Sequence, residues 1–258
     1  MKLGFIGTGD ITKAIVTGLM SADYPLDEII LSPRNAQVSA RLAADHPKVV
    51  VASDNQQVVD GADLVFLAVR PQVAEKVIRA LKFPADKQIV SLIATVTQET
   101  LQEWTGTSQP IPRAVPLPAV SDRQGATVIY PADGKLQELF GTLGPVIEAT
   151  TLDELDALTT SGAVMGLYFG LQETIVAWLA ERGISDRDAR TFIGKVFLEL
   201  GRTAAREPEK DFITLREEHS TEGGINEQMF RTFTEQGGTE ALNIALNSVA
   251  GRILSGRG

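Results

Sequence analysis

Hydrophobic positions in the first 150 residues fall into short runs separated by amphipathic stretches. Lys2–Ile6, Glu28–Leu31, Val49–Ala52, Leu64–Val69 and Ile89–Ile93 each read as a strand. Between them, Thr12–Met20, Val38–Ala44 and Val73–Leu81 carry apolar residues at helical spacing. Leu64 to Val69 is apolar throughout, as a strand buried on both faces of a parallel sheet must be. Strands alternating with helices of about ten residues predict βαβ units and a doubly wound sheet.

The pattern changes after residue 150. From Leu152 onward only helical periodicity is present. Ala189, Phe192, Ile193, Val196, Phe197 and Leu200 share one helical face, and Ala241, Leu242, Ala245, Leu246, Val249 and Ile253 repeat the pattern near the C-terminus. Such stripes first of all predict core. A helical half behind a nucleotide-binding half also suits a substrate wall and a dimer interface. The division expected is 1–150 for the α/β part and 151–258 for the helical part.

The first chemistry-bearing motif lies where the first strand meets the first helix. Gly7-Thr8-Gly9-Asp10-Ile11-Thr12 offers a tight turn, a bare backbone and a helix N-terminus, which together suit a pyrophosphate. Thr12 stands at the third glycine position, where a small side chain is tolerable because that site governs helix–strand packing. Asp10 is repelled by a diphosphate unless it points away. The same residues also suit an ordinary strand–turn–helix. At the end of the second strand, an NAD-preferring fold places an acid on the ribose. Here Ser32 and Arg34 stand in that region, and they suit the extra 2′-phosphate of NADP. Arg70-Pro71 closes the long apolar strand, so the backbone of Ala68, Val69, Arg70 and Pro71 is a further candidate cofactor contact.

Composition narrows the function classes. With 33 acidic against 24 basic residues in 258, the net charge is -9, which disfavours a general grip on nucleic acid or anionic membrane. Cysteine is absent, so no disulfide, thiolate nucleophile or cysteine-bound zinc exists. The two histidines, His46 and His219, show no metal-ligand spacing, and no metal is expected. The longest apolar run, Ala163 to Leu171, is far shorter than the roughly 20 residues of a membrane helix. A soluble cytoplasmic protein is expected.

Several segments together resemble the pyrroline-5-carboxylate reductase family. Gly4-Phe5-Ile6-Gly7-Thr8-Gly9 with Lys13-Ala14-Ile15 is similar to its opening, and Leu67-Ala68-Val69-Arg70-Pro71-Gln72 to its "lavKPQ" segment, with arginine for lysine. Arg113-Ala114-Val115-Pro116-Leu117-Pro118 resembles "RxMPNxP", with Leu117 for asparagine. Ser161-Gly162-Ala163-Val164 stands where the family has "SGSGPAY", and Ser220-Thr221-Glu222-Gly223-Gly224-Ile225-Asn226 is similar to "VTSPGGTT". The likeness runs in register over nearly the whole chain, and its departures cluster in the second half.

The resemblance implies a Rossmann-type doubly wound domain followed by an all-α C-terminal dimerisation domain, working as a homodimer or higher homo-oligomer. It implies hydride transfer from NADPH to the carbon of a cyclic C=N bond, with pyrroline-5-carboxylate reduced to proline. It assigns the substrate carboxylate to Ser220, Thr221, Gly223, Gly224 and Asn226, although a glycine turn capping a helix explains those residue types as well. Tyr168 falls where the family lines its pocket, and its position in an apolar helix also suits core. His219 is a candidate proton donor or a histidine at a polar helix end. Glu222 opposes a carboxylate unless it faces solvent or the substrate carries a cation there. Two other readings stay open: a related imine or ketimine carboxylate reductase, and a non-catalytic NADP-binding dimeric regulator. A hydroxyacid dehydrogenase is disfavoured, because residues 159–182 contain no lysine.

Overall fold

The computed structural model describes residues 1–255. The chain divides into two compact units: Met1–Thr160 together with the chain from Ala250 onward, and Ser161–Val249.

The first unit begins with β1 (Lys2–Ile6), α1 (Asp10–Ser21), β2 (Glu28–Leu31), α2 (Ala36–Asp45), β3 (Val49–Val51) and α3 (Asn55–Gly61). It continues through β4 (Leu64–Leu67), α4 (Pro71–Ile78), β5 (Gln88–Ser91), α5 (Gln98–Thr105) and β6 (Arg113–Pro116). A 3₁₀ turn (Pro118–Asp122), β7 (Thr127–Tyr130), α6 (Gly134–Gly141), β8 (Val146–Glu148) and the start of α7 (Leu152–Gly162) complete it. The eight strands form one sheet in the order β3-β2-β1-β4-β5-β6-β7-β8. Every neighbouring pair is parallel except β6 and β7.

Alternation along the strands explains the apolar run in β4. Leu64 and Phe66 join Leu3, Phe5, Ile29 and Leu31 in a core covered by α1, α2 and α6. Val65 and Leu67 join Ile6, Ile30 and Ile89 in a second core under α3, α4 and α5. Phe5 stacks on Phe66 at 4.7 Å between ring centres. The strand stops at Leu67 because Ala68 and Val69, half-buried, already leave the sheet at its carboxyl edge.

Three strands and three helices of this unit lie outside the elements expected from periodicity. β6 to β8 are three or four residues long, and β6 contains a proline and a buried arginine. The missing helices α3, α5 and α6 do carry a sequence signal at their starts. Asp54, Thr97 and Asp133 each accept a backbone N–H of the first turn, the cap expected of those residue types.

The second unit contains α8 (Val164–Ala180), α9 (Asp186–Arg206), α10 (Phe212–Glu218), α11 (Ile225–Glu235) and most of α12 (Gly238–Ser255). Helical periodicity located α9 and α12, but the expectation that their stripes are core is mostly overturned. Ala189 and Ile193 of α9 are buried, while Phe192, on the same stripe, is 66% exposed, and Val196 and Leu200 are exposed with it. α8 has no buried residue. By length and composition alone, Leu152–Ala180 is apolar enough to cross a membrane, which the shorter run Ala163 to Leu171 did not suggest.

Candidate active site

Strand order reverses direction between β1 and β4, since β2 lies on one side of β1 and β4 on the other. Such a switch point opens a crevice at the carboxyl ends of the strands, where ligands bind in doubly wound sheets. The turn Gly7–Gly9 leaves β1 at that point and opens α1.

Gly7 is held at φ +108°, a conformation that L side chains rarely adopt. A Cβ there would also lie 2.5 Å from the Ala68 carbonyl oxygen, so the turn rests directly on the exit of β4. Gly9 differs: a Cβ built on it meets nothing within 4 Å. Its missing side chain is therefore not required by packing, and it leaves the backbone bare toward the crevice. No side chain caps α1 at Gly9, so its first N–H groups and the positive end of its dipole remain available to an anion. This fits a dinucleotide pyrophosphate. Asp10 lies exposed in the first turn and Ile11 is half-buried. Thr12 is fully buried and donates its hydroxyl to the Gly7 carbonyl at 2.8 Å, so it braces the turn that a third glycine would only pack against.

The end of β2 is tied to this turn. Ser32 is fully buried, and its Oγ accepts the Gly7 N–H at 3.0 Å. Thr8 donates its hydroxyl to the Ser32 carbonyl at 3.0 Å. These bonds engage Ser32 in shaping the turn. Asn35, absent from the sequence reading, has φ 66° at the start of α2 and donates its amide to the Thr8 carbonyl at 3.0 Å. Its signal was the short polar side chain in a Pro-x-Asn turn, a residue type that tolerates the left-handed region. Arg34 between them is exposed and in no ion pair among the described residues. Ala68 and Val69 are half-buried at the end of β4, Arg70 is the exposed N-cap of α4, and Pro71 fills its first position.

A second arrangement that sequence reasoning did not single out lies further along the same edge. Arg113 on β6 and Asp156 on α7 form an ion pair at 3.2 Å, with both side chains 8% exposed. The guanidinium also donates to the carbonyls of Ala94 and Val96 at 3.1 and 2.9 Å.

The loop expected to hold the substrate carboxylate belongs to the second unit and joins α10 to α11. Gly223 has φ +68° and Gly224 is the N-cap of α11. Ser220 donates its hydroxyl to the Arg216 carbonyl at 2.7 Å, and the Asn226 amide donates to the His219 carbonyl at 2.7 Å. The Gly223 N–H is taken by the Glu227 carboxylate at 2.7 Å, a residue the sequence reading passed over. Glutamate at the third position of a helix commonly reaches back to a backbone N–H at the helix start, and that was its signal. Thr221 and Glu222 are exposed. His219 bonds the Leu215 carbonyl through Nδ1 at 2.7 Å; a carbonyl only accepts, so Nδ1 is the donor. Each cation beside the loop is already paired: Arg231 with Glu227, Arg216 with Glu217, and Lys210 with Glu207 and Glu218. The hydrogen bond to Glu207, then that to Glu218, pushes the Lys210 ammonium above its ordinary range. Tyr168 on α8 is not among these loop residues; its ring packs edge-on against Phe169 and Phe197 at 5.1 and 5.3 Å.

A glycine turn at the switch point of a doubly wound sheet is the arrangement by which such sheets receive a dinucleotide. The family model for "NADP oxidoreductase coenzyme F420-dependent" matches residues 2–95. Pyrroline-5-carboxylate reductase from Haemophilus influenzae is 25% identical over 97% of this chain and 95% of its own length. The Pseudomonas aeruginosa pyrroline-5-carboxylate reductase is 28% identical over the same shares. The crystal structure of Plasmodium falciparum pyrroline carboxylate reductase with NADP bound superposes with a TM-score of 0.84 at 16% identity, covering 100% of this chain and 98% of that one. Over nearly its whole length the chain is thus similar to pyrroline-5-carboxylate reductases.

Proposed function

We propose that this protein is an NADPH-dependent reductase of a cyclic imino acid, with pyrroline-5-carboxylate reduced to proline. The observation that carries the reading is end-to-end similarity to the family combined with a glycine turn that packing leaves open at the switch point. In this reading residues 1–150 bind the cofactor, and residues 151–258 supply the substrate wall and the dimer contact. NADPH, when bound, supplies the hydride.

The protein's own part is positioning. The bare backbone from Gly7 to Ile11 and the free N-terminus of α1 receive the diphosphate, with Thr12, Ser32 and Asn35 holding the turn in shape. Arg34 reads the 2′-phosphate as an exposed cation beside that turn. Ala68, Val69, Arg70 and Pro71 line the exit of β4. In the second unit, the loop residues Ser220, Thr221, Gly223, Gly224 and Asn226 orient the substrate carboxylate, and Tyr168 lines the pocket. His219, with its proton on Nδ1, presents Nε2 for proton exchange with solvent. An imine is readily protonated, so hydride transfer needs no strong side-chain acid. Orienting the substrate and excluding water are enough for the protein to contribute.

The exposed apolar faces of α8, α9 and α11 support a homodimer, since Phe169, Phe192 and Met229 are each at least two-thirds open in the single chain or close to it. Residence in the cytoplasm belongs to the same reading. A second reading, reduction of a related imine without a carboxylate at this loop, is favoured by Glu227 on the Gly223 N–H and by Glu222 nearby. NADPH consumption with pyrroline-5-carboxylate, pyrroline-2-carboxylate, a piperideine carboxylate and 1-pyrroline separates the readings. Turnover of pyrroline-5-carboxylate above the others supports the first, and turnover of 1-pyrroline alone supports the second. Tight NADPH binding with no turnover overturns both in favour of a regulator.

A further inference from the structure

The Arg113–Asp156 pair is costly to place in the interior, because two charges lose their water. A pair of this kind contributes little net stability, so its use lies in what it holds. β5 ends at Ser91, which is in register with Leu67, the last residue of β4. The chain then leaves the ladder after the Leu92 N–H has bonded the Leu67 carbonyl at 2.9 Å. Beyond that point the carbonyls of Ala94 and Val96 have no strand to pair with. The Arg113 guanidinium donates to both, and Asp156 accepts from Nη1, the nitrogen that also bonds the Ala94 carbonyl. The Ala94–Val96 segment is thereby held at the carboxyl edge, next to the exit of β4 at Ala68–Pro71.

The two halves of a doubly wound sheet bind the two halves of a dinucleotide. The Gly7–Gly9 turn and Arg34 belong to the half built on β1 to β3, which leaves the half built on β4 to β6 for the nicotinamide end. We propose that Arg113, braced by Asp156, is a positioning residue for the cofactor: it holds Ala94–Val96 in the shape that seats the nicotinamide half. The proposal rests on the cofactor reading above. The guanidinium reaches its three acceptors from two separate nitrogens of a planar fork, whereas the three donors of a lysine ammonium all radiate from one nitrogen and cannot reproduce that geometry.

The test compares NADPH with 2′-phospho-ADP-ribose, which lacks the nicotinamide, by titration calorimetry on the full chain. Arg113→Lys is expected to weaken NADPH by about tenfold while leaving 2′-phospho-ADP-ribose within about twofold, the loss of roughly one charge-assisted hydrogen bond's worth of positioning. Asp156→Asn leaves the guanidinium bonds to the two carbonyls in place, so a smaller loss of the same kind is expected. A purely structural role would lower the melting temperature and leave the ratio of the two affinities unchanged. Equal losses for both ligands, or unchanged NADPH affinity in both variants, overturn the proposal. Should Arg113→Lys fail to fold, Asp156→Asn decides by the same ratio. A wild-type chain that binds 2′-phospho-ADP-ribose and NADPH equally well overturns the seat. One that binds neither removes the cofactor reading itself.

Discussion

The two units of this chain solve the hydrophobic problem in opposite ways. In the first, a sheet with helices on both faces buries nearly every large apolar side chain of β1, β2 and β4. In the second, Ala189, Ile193 and Leu215 are the only buried apolar residues among those described, while Phe192, Phe212, Ile225 and Met229 lie largely open. A sheet closes its own core with helices from the same chain. An array of helices with apolar faces on more than one side does not, and it keeps surface for another body. The difference separates a unit that closes its own core from a helical part whose apolar faces stay open in the single chain.

The comparison can be broken most forcefully at the core. Phe66→Ala should cost about 3–5 kcal/mol in urea unfolding, because its ring stacks on Phe5 and meets Phe140 edge-on. Phe192→Ser, 66% exposed in the single chain, should change that stability by no more than about 0.5 kcal/mol. It should instead shift the mass in solution from dimer toward monomer, read by light scattering. Similar costs for the two would mean that the helical unit has a core of its own.

Next in size is Gly7→Val. A side chain there is strained by the φ of +108° and would press on the Ala68 carbonyl, so a loss of roughly 3 kcal/mol is expected together with NADPH binding. Retention of cofactor affinity would mean that the turn is not the phosphate site. Arg34→Ala should cost about 2 kcal/mol in NADPH affinity and little in NADH affinity, as for one charge-assisted contact. Equal losses would remove its role at the 2′-phosphate.

The smallest expected effect lies in the helical unit. Glu227→Gln keeps an acceptor for the Gly223 N–H but removes the charge that opposes a substrate carboxylate. KM for pyrroline-5-carboxylate should fall by about threefold, under 1 kcal/mol, with KM for 1-pyrroline unchanged. A raised KM for the carboxylate substrate would show that Glu227 supports the loop and does not compete with the ligand.

Much of the first unit was legible before any coordinates. Strands at Lys2–Ile6 and Glu28–Leu31 stand where the apolar runs put them, and the glycine turn lies at the switch point that its context required. Legibility failed where a few residues make an element. β6 runs Arg113–Pro116, too short for alternation to register and interrupted by a charge whose partner is 43 residues away. Of the candidate site, the turn residues were readable because glycine has few reasons to recur at a strand end. Asn35, Arg113, Asp156 and Glu227 were not, since their roles depend on backbone atoms supplied by other segments.

Local periodicity and residue chemistry thus located β1 to β5, the change to helices after residue 150 and the family resemblance, because each depends on neighbours in sequence. Only the tertiary structure decided which apolar stripes are core. It alone showed that Ser32 holds the turn from within and that a buried arginine fastens the sheet edge to α7. Burial and pairing depend on which distant segments meet, and the pattern of a helix is the same whether its apolar face meets its own chain or is left open for another.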